Sequence, residues 1–405
     1  MFNKLRNLGP GVLVTAAFIG PGTVAACTVA GASFGYVLLW ALLFATLATI
    51  ILQEMSARLG TITQKGMGEV LLHSLQHSPL KWPLFILVLL ALYAGNSAYE
   101  GGNLAGAALG LEAIFGSSPL VFNSAVVALT LLGGTLLLRG SYRQIEHVLI
   151  ALVLLMGIAF IVTFFVVGPS LADIAKGLFS PQIPEGSLLA VIALIGTTVV
   201  PYNLFLHASA AKARWQGQKD LTEARSDAVI SIGLGGLIAI LIVSTAAASL
   251  FANQISVNSA ADMAVQFEPL FGPFSKYLLG IGLFAAGLSS TITAPLATGY
   301  AVAEILQLKG GASGKGFRVI AISVLVIGAA LALTGIKPIK IILLAQFANG
   351  LLLPIVAGFL LYAMNRKQLL GEYANGWPAN TLGIGVVLLT AGLGARMIAK
   401  GLGVM

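Results

Sequence analysis

Long apolar runs, separated by short polar segments, repeat along almost the whole chain. About 20 helical residues cross the hydrocarbon core of a bilayer, so each run of about 17 to 25 residues predicts one membrane-spanning helix. Counting these runs predicts an all-α integral membrane protein with eleven spans in a single transmembrane domain, residues 1–405. The predicted spans are 11–33, 36–58, 82–111, 121–139, 146–168, 187–211, 228–252, 275–306, 318–335, 339–364 and 378–400.

Two of the predicted spans are interrupted by polar residues, glycine and proline. Gly20-Pro21-Gly22-Thr23 lies within the first span, and Thr197-Thr198-Val199-Val200-Pro201-Tyr202-Asn203 lies within the sixth. Proline has no backbone N–H and its ring clashes with the preceding turn, so we expect both helices to be broken there. Two interrupted spans in corresponding halves of a chain indicate an inverted-repeat transporter whose substrate binds near the bilayer midplane.

Composition and charge support this class and exclude others. The chain is 58% hydrophobic and only 9% charged, whereas a soluble domain is roughly a quarter charged. The net charge of +8 comes from dispersed residues rather than a basic block, which argues against nucleic-acid binding. With the N-terminus in the cytoplasm and the C-terminus outside the cell membrane, most of the lysines and arginines lie on the cytoplasmic side. No nucleotide-binding motif, cofactor motif or enzymatic constellation is evident, so we expect neither an enzyme nor a cofactor.

The two breaks provide only neutral groups to a substrate. The candidate binding residues are Gly20, Thr23, Thr198, Val200, Tyr202 and Asn203, through their side chains or their carbonyl groups. Helix N-termini that point into the bundle suit an anionic group, whereas carbonyls at half-helix C-termini suit a small cation. The sequence alone leaves both polarities open.

Ionisable residues inside membrane spans are costly and are therefore functional candidates. Glu100 lies deep in the third span, within a stretch too polar to face lipid, and is a candidate for coupling or gating. His207 follows Pro201 by six residues and is expected either to shuttle protons or to bond a neighbouring carbonyl. Glu54 precedes Arg58 by four residues near a helix end, which predicts a structural ion pair.

Several motifs together resemble one known family, the NRAMP (natural resistance-associated macrophage protein) metal transporters. They are Gly20-Pro21-Gly22-Thr23, Leu52-Gln53 through Ala57-Arg58-Leu59-Gly60, Pro201 to His207, Gly287-Leu288-Ser289-Ser290-Thr291 and Gln346 to Pro354. The resemblance implies a LeuT-like architecture with inverted repeats at about 11–168 and 187–364 and an added helix at about 378–400. It also implies the family's usual work, proton-coupled import of divalent transition metals.

The chain departs from the family pattern at the substrate site. Gly20 stands where the family has aspartate, Thr23 where it has asparagine, Val200 where it has methionine and Tyr202 where it has histidine. The absence of the carboxylate and the thioether argues against tight iron or manganese binding by the usual chemistry. The resemblance leaves Thr23, Tyr202 and Gln346 as candidate metal ligands. It also supports Glu100, which aligns with a family acid, and His207 as coupling residues.

Three functions therefore remain open at this stage. The first is secondary transport of a divalent cation, held partly hydrated by hydroxyls, amides and carbonyls, with a proton as coupling ion. The second is transport of a small organic solute, an amino acid or organic acid, with helix N-termini holding its carboxylate. The third is a non-transporting membrane sensor or interaction protein, which is disfavoured because no soluble signalling domain accompanies the spans.

Overall fold

The computed structural model describes residues 9–11, 15, 19–75, 79, 81–139, 143–309 and 314–403, and these are almost entirely helical. Ten helical segments in this part of the chain are long and apolar enough to cross a membrane. The main helices are α1 (Pro21–Phe34), α2 (Leu39–Thr63), α3 (Lys81–Phe115), α4 (Pro119–Arg139), α5 (Arg143–Val167), α6 (Leu188–Thr198), α7 (Pro201–Arg214), α8 (Leu221–Ala246), α9 (Ser275–Ile305), α10 (Lys315–Ala332), α11 (Pro338–Met364) and α12 (Trp377–Gly401).

Shorter helical segments occupy the connections between the long helices. Those of four residues or more are Met67–Ser74, Leu171–Phe179, Ala260–Ala264, Glu268–Phe271 and Lys367–Leu370, and α8 continues into a π-helical turn at Ala247–Phe251. The long helices agree with the predicted spans to within a few residues at most ends. One difference is that α8 begins seven residues earlier than predicted, at Leu221. In the first predicted span, 11–33, the long helix begins only at Pro21, and most of the part before the break lies outside the described residues.

Both predicted helix breaks are present. Gly20 is extended, with φ −95° and ψ −176°, and α1 begins at the next residue, Pro21. In the sixth span α6 ends at Thr198, Val199 and Val200 are non-helical, and α7 begins at Pro201. Proline is favoured as the first residue of a helix because its fixed φ is already helical and its missing N–H has no intrahelical acceptor there.

Helix α3 lies at the centre of the bundle and packs chiefly against α9, α11 and α10. Its glycines allow close contact with these neighbours. A Cβ added at Gly102 would lie 2.8 Å from the Cβ of Ala345 on α11, and one added at Gly106 would overlap Pro21. These glycines therefore allow α3 to pack closely against α11 and place the α1 break directly beside α3.

An ion-pair network fixes one end of α2. The Glu54 carboxylate accepts hydrogen bonds from Arg58 at 3.0 Å and from Arg225 of α8 at 2.8 Å. Arg58 also donates to the carbonyl of Tyr373 and to the side chain of Asn375, before α12. The predicted pair of Glu54 with Arg58 is confirmed, and its role is to join α2, α8 and the segment that precedes α12.

Candidate functional site

The residues predicted to bind substrate all lie in the interior, at or beside the two breaks. Each of the six side chains larger than glycine has 0% exposed surface, and Gly20 is buried too. These residues are therefore shielded from solvent. These residues are Gly20, Thr23, Thr198, Val200, Tyr202, Asn203 and Gln346.

A pair of threonine hydroxyls joins the two broken spans. Thr23 Oγ1 of α1 and Thr197 Oγ1 of α6 lie 2.8 Å apart, within hydrogen-bond distance. The neighbouring Thr198 hydroxyl donates instead to the carbonyl of Leu194, one turn back in its own helix, at 3.1 Å. The Thr197 hydroxyl is thus the one in the sixth span that faces α1, whereas the Thr198 hydroxyl is bonded within its own helix next to the break.

Gln346 of α11 lies between the same two spans. Its side-chain amide covers the Cα atom of Gly22, so a Cβ there would overlap the amide nitrogen. Its backbone carbonyl lies equally close to Gly196 of α6. The two glycines therefore create the space that brings a polar side chain of α11 against the first turn of α1.

The amides of Gln346 and Asn203 are buried without hydrogen-bond partners. Both polar atoms of each amide lack a partner among the residues that the structure describes. Leaving a buried polar group unpaired costs about 1 to 3 kcal/mol. Because polar groups with this cost are rare in protein interiors, their concentration at the breaks indicates a region built to bind a polar ligand.

Tyr202 closes this region on the side of α3. Its ring meets the ring of Tyr99 edge to face, with centroids 5.6 Å apart. Tyr99 immediately precedes Glu100, so the substrate region and the buried carboxylate of α3 are joined by one aromatic contact. The side chains of the two consecutive α3 residues point in different directions, since Glu100 itself packs towards α10.

The two predicted coupling residues contact different helices. The Glu100 carboxylate accepts a hydrogen bond from Asn103 at 3.2 Å and lies over Gly328 of α10. His207 Nδ1 lies 2.9 Å from Oε1 of Gln53 on α2, so this nitrogen meets a side-chain amide rather than a carbonyl of the backbone. Both side chains are fully buried, Glu100 against α10 and His207 against α2.

The helix ends at the breaks are polarised. Neither Gly20 nor Val200 provides a side-chain cap for α1 or α7, and each helix starts with proline. The first N–H groups of a helix have no partner within it, and the aligned peptide dipoles place partial positive charge there. The breaks therefore present polarised N–H groups together with neutral side-chain oxygens.

Anionic and sulfur ligands do not form a metal centre in the part of the chain described. No group of three or more His, Cys, Asp or Glu side chains is gathered there. Any metal at the breaks would be bound by hydroxyl, amide and carbonyl oxygens, of which Thr23, Tyr202 and Gln346 were predicted from the sequence. These oxygens are hard ligands that suit Mg²⁺, Ca²⁺ and Mn²⁺.

Sequence reasoning missed the partners that orient several of these residues. Gln53 was seen only as part of a motif, and nothing linked it to His207. Likewise, Thr291 lies beside the Glu100 carboxylate although the two belong to spans far apart in the chain. The available signal was the position of both partners within the motifs that carry the family resemblance.

Comparison with known proteins now places the chain. The family model described as Nramp, natural resistance-associated macrophage protein-like, matches residues 11–400. A relative named divalent metal cation transporter MntH, from Yersinia pestis (strain Pestoides F), is 27% identical over 403 residues, which cover 98% of this chain and 95% of that protein. The MntH of Bacillus subtilis (strain 168) is 29% identical over 378 residues, covering 92% and 86%.

Solved structures of other transporters share the fold. The Eremococcus coleocola manganese transporter, crystallised with an aromatic bis-isothiourea substituted compound, superimposes with a TM-score of 0.78 at 23% identity, covering 97% of this chain and 86% of that one. MhsT in complex with L-phenylalanine gives a TM-score of 0.65 at 14% identity, covering 96% and 97%. The fold is therefore LeuT-like, as predicted. The chain belongs to the Nramp family of multi-pass secondary transporters and is not an enzyme.

Proposed function

We propose that this chain moves a divalent metal cation across the cell membrane by alternating access and binds it at the two helix breaks through neutral oxygen ligands. The names of its relatives support the substrate class, since the MntH proteins are described as divalent metal cation transporters. The proposed unit is one transmembrane domain of two inverted repeats, about 11–168 and 187–364, followed by α12. We propose a cytoplasmic N-terminus and an external C-terminus.

The observation that carries the proposal is the pair of unpartnered, fully buried amides at the breaks. Asn203 and Gln346 each offer an amide oxygen with no donor among the described residues, and Thr23 and Tyr202 add hydroxyl oxygens. Divalent cations with hard character take such oxygens and, in the case of Mg²⁺, also keep several water molecules. The ligand set therefore favours Mg²⁺ and Mn²⁺, bound partly hydrated, over softer transition metals.

A neutral ligand set must still be reconciled with the charge of a dication. A charged group in a low-dielectric interior is costly unless it is paired or solvated. Retained water reduces this cost at the breaks, and Glu100 provides a carboxylate behind the contact of Tyr99 with Tyr202. We assign coupling to Glu100, through the cation or proton that binds its carboxylate, and assign His207 to the conformational link between α7 and α2.

Uptake by the purified protein in proteoliposomes tests this proposal. Mg²⁺ and Mn²⁺ are offered in parallel with amino acids and small organic acids, and the variants Asn203→Ala and Gln346→Ala are compared with Asn365→Ala. Asn365 is the matched control because its amide is hydrogen-bonded at the end of α11. We expect metal uptake, with its KM raised about tenfold by loss of one ligand in either site variant and unchanged in the control.

One observation supports a second candidate, an organic solute with a carboxylate. The polarised N-termini of α1 and α7 lack side-chain caps, and such helix ends bind anionic groups. The fold is shared with MhsT, which was solved in complex with L-phenylalanine. Uptake of an amino acid or organic acid without any flux of Mg²⁺ or Mn²⁺ in the same screen would replace the metal proposal by this one.

A further inference from the structure

A carboxylate in the last turn of α9 joins three elements that are distant in sequence. Glu304 Oε1 accepts a hydrogen bond from the Ser209 hydroxyl of α7 at 2.9 Å, and Glu304 Oε2 accepts one from the backbone N–H of Gly68 at 3.1 Å. Gly68 lies in the first turn of the connecting helix Met67–Ser74, which follows α2 and is called the 67–74 helix below. We call Glu304, Ser209 and Gly68 the Glu304 latch.

Two glycines allow the carboxylate to lie directly on the 67–74 helix. A Cβ added at Gly66 would overlap Glu304 Oε1, and one added at Gly68 would lie 2.7 Å from Glu304 Cβ. The carboxylate therefore lies at the N-terminal end of this helix. Backbone N–H groups without intrahelical partners and the helix dipole both favour a negative charge at that end.

Helix α7 is separated from α6 by the sixth-span break, so its position depends on the helices beside it. On one side it is fastened to α2. The Ser56 hydroxyl of α2 donates to the carbonyl of Leu204 in α7. Gln64, just after α2, donates to the carbonyl of Trp215, just after α7, at 2.8 Å. Helices α2 and α7 thus form one unit, and the Glu304 latch ties this unit to α9.

A cavity lies beside the latch, between the 67–74 helix and α9. Its volume is about 710 Å³, and its lining includes Glu69 and His73 of the 67–74 helix and Tyr300 and Glu304 of α9. The cavity replaces apolar contact between these elements, so polar ties contribute much of the local stability. The ion pair of Glu69 with Lys212 of α7, at 3.0 Å, is partly exposed and therefore contributes little.

The latch and the substrate region share one helix. Tyr202 and Asn203 lie in the first turn of α7, and Ser209 lies two turns further along, roughly 10 Å away at the usual rise per residue. A displacement of α7 at its Ser209 end therefore also moves the residues at the break. Transporters with broken helices use such movements of one part of the bundle against another for alternating access.

We propose that the Glu304 latch locks one gate of the transporter: it holds the α2–α7 unit against α9, and its release opens a passage between the sixth-span break and the cavity. The inference rests on the proposed function, because it assigns a gate to that alternating-access cycle. A carboxylate is required at position 304, since two donors converge on it and hydrogen bonds to a charged acceptor are stronger than neutral ones. Glu304→Gln keeps the shape of the side chain but replaces one acceptor oxygen by a donor.

Labelling of a reporter cysteine tests the latch without any substrate. Cys27 is the only cysteine of the chain and is fully buried, so Cys27→Ala provides a cysteine-free background. Ala301→Cys then introduces one thiol in α9, at a position that is 1% exposed and whose carbonyl lies under Gly68. The purified full-length protein in detergent is treated with a bulky hydrophilic maleimide, which reacts when the thiol reaches water.

We expect Glu304→Gln and Ser209→Ala each to speed this labelling about tenfold, through loss of a hydrogen bond to a charged group. Glu112→Gln is the matched control, because that carboxylate is hydrogen-bonded to Ser117 beyond the far end of α3 and should leave the rate unchanged. Ser209→Ala keeps the test decisive if Glu304→Gln fails to fold. Rates that match the control in both latch variants would overturn the inference.

Uptake of Mn²⁺ or Mg²⁺ by the same proteins in proteoliposomes separates the latch from the proposed function. A substrate that binds one state preferentially shifts the balance of open and closed forms, so we expect either metal to change the labelling rate when the latch is intact. Faster labelling in the latch variants of a protein that takes up neither metal would contradict the proposed function and leave the latch standing. Metal uptake with labelling that is insensitive to Glu304→Gln and Ser209→Ala would overturn the latch alone.

Discussion

The two buried polar regions of this transporter differ in charge. The helix breaks join Thr23, Tyr202, Asn203 and Gln346, all neutral, to the polarised first turns of α1 and α7. The surroundings of Glu100 on α3, by contrast, contain a buried carboxylate, which accepts a hydrogen bond from Asn103. A carboxylate at the substrate would bind a dication tightly, whereas one beside the breaks leaves the substrate ligands neutral. We therefore propose that substrate binding and coupling use separate buried groups.

The largest expected effect is on Mn²⁺ affinity, when a carboxylate and a thioether are introduced at the breaks so that the substrate region also carries a charge. Gly20→Asp combined with Val200→Met adds a carboxylate and a thioether. Both positions have negative φ angles, which aspartate and methionine can adopt. We expect affinity for Mn²⁺, measured by calorimetry, to rise about a hundredfold because a charged and a soft ligand are added together. An unchanged affinity would contradict our placement of these two positions at the substrate.

Moving the amide of Gln346 should have a smaller effect. The Gly22→Ala substitution places a methyl group where that amide lies, so we expect the KM for Mn²⁺ or Mg²⁺ to rise about tenfold through displacement of one ligand. Gly233→Ala on α8 is the control, because nothing lies within 4 Å of the added Cβ there. Equal effects of the two substitutions on KM would show that Gln346 is not a ligand.

The hydroxyl pair between the broken spans should give the smallest effect. Thr23→Val, Thr197→Val and the double variant form a cycle that isolates the contact at 2.8 Å. We expect a coupling of about 1 kcal/mol, the usual net contribution of one hydrogen bond, in the free energy of substrate binding. Additive single effects would mean that the two hydroxyls act independently.

Local rules explain why much of the fold could be predicted. Proline grouped with glycine or polar residues inside an apolar span weakens the helix at that point, so both breaks were predicted within one or two residues. Membrane-spanning length similarly determined the long helices, and the spacing of Glu54 and Arg58 identified their ion pair. The family motifs then suggested most of the proposed site residues by position.

Contacts between distant segments could not be read in the same way. Thr23 is 174 residues from Thr197, and His207 is 154 residues from Gln53. Such pairs depend on how helices rotate and approach one another, which the glycines at 22, 196 and 328 decide through the space they leave. The sequence predicted that Glu100 is buried and made it a candidate for coupling, whereas only the structure showed that its carboxylate packs towards α9 and α10.

The most direct test of the central claim is an electrical one. Rapid addition of Mg²⁺ or Mn²⁺ to proteoliposomes on a solid-supported membrane reports the charge that enters with the substrate. Our account predicts an inward positive current with either metal, and a smaller current at the same metal concentration in Asn203→Ala and Gln346→Ala than in the Asn365→Ala control. A current evoked by amino acids or organic acids and absent with both metals would contradict it.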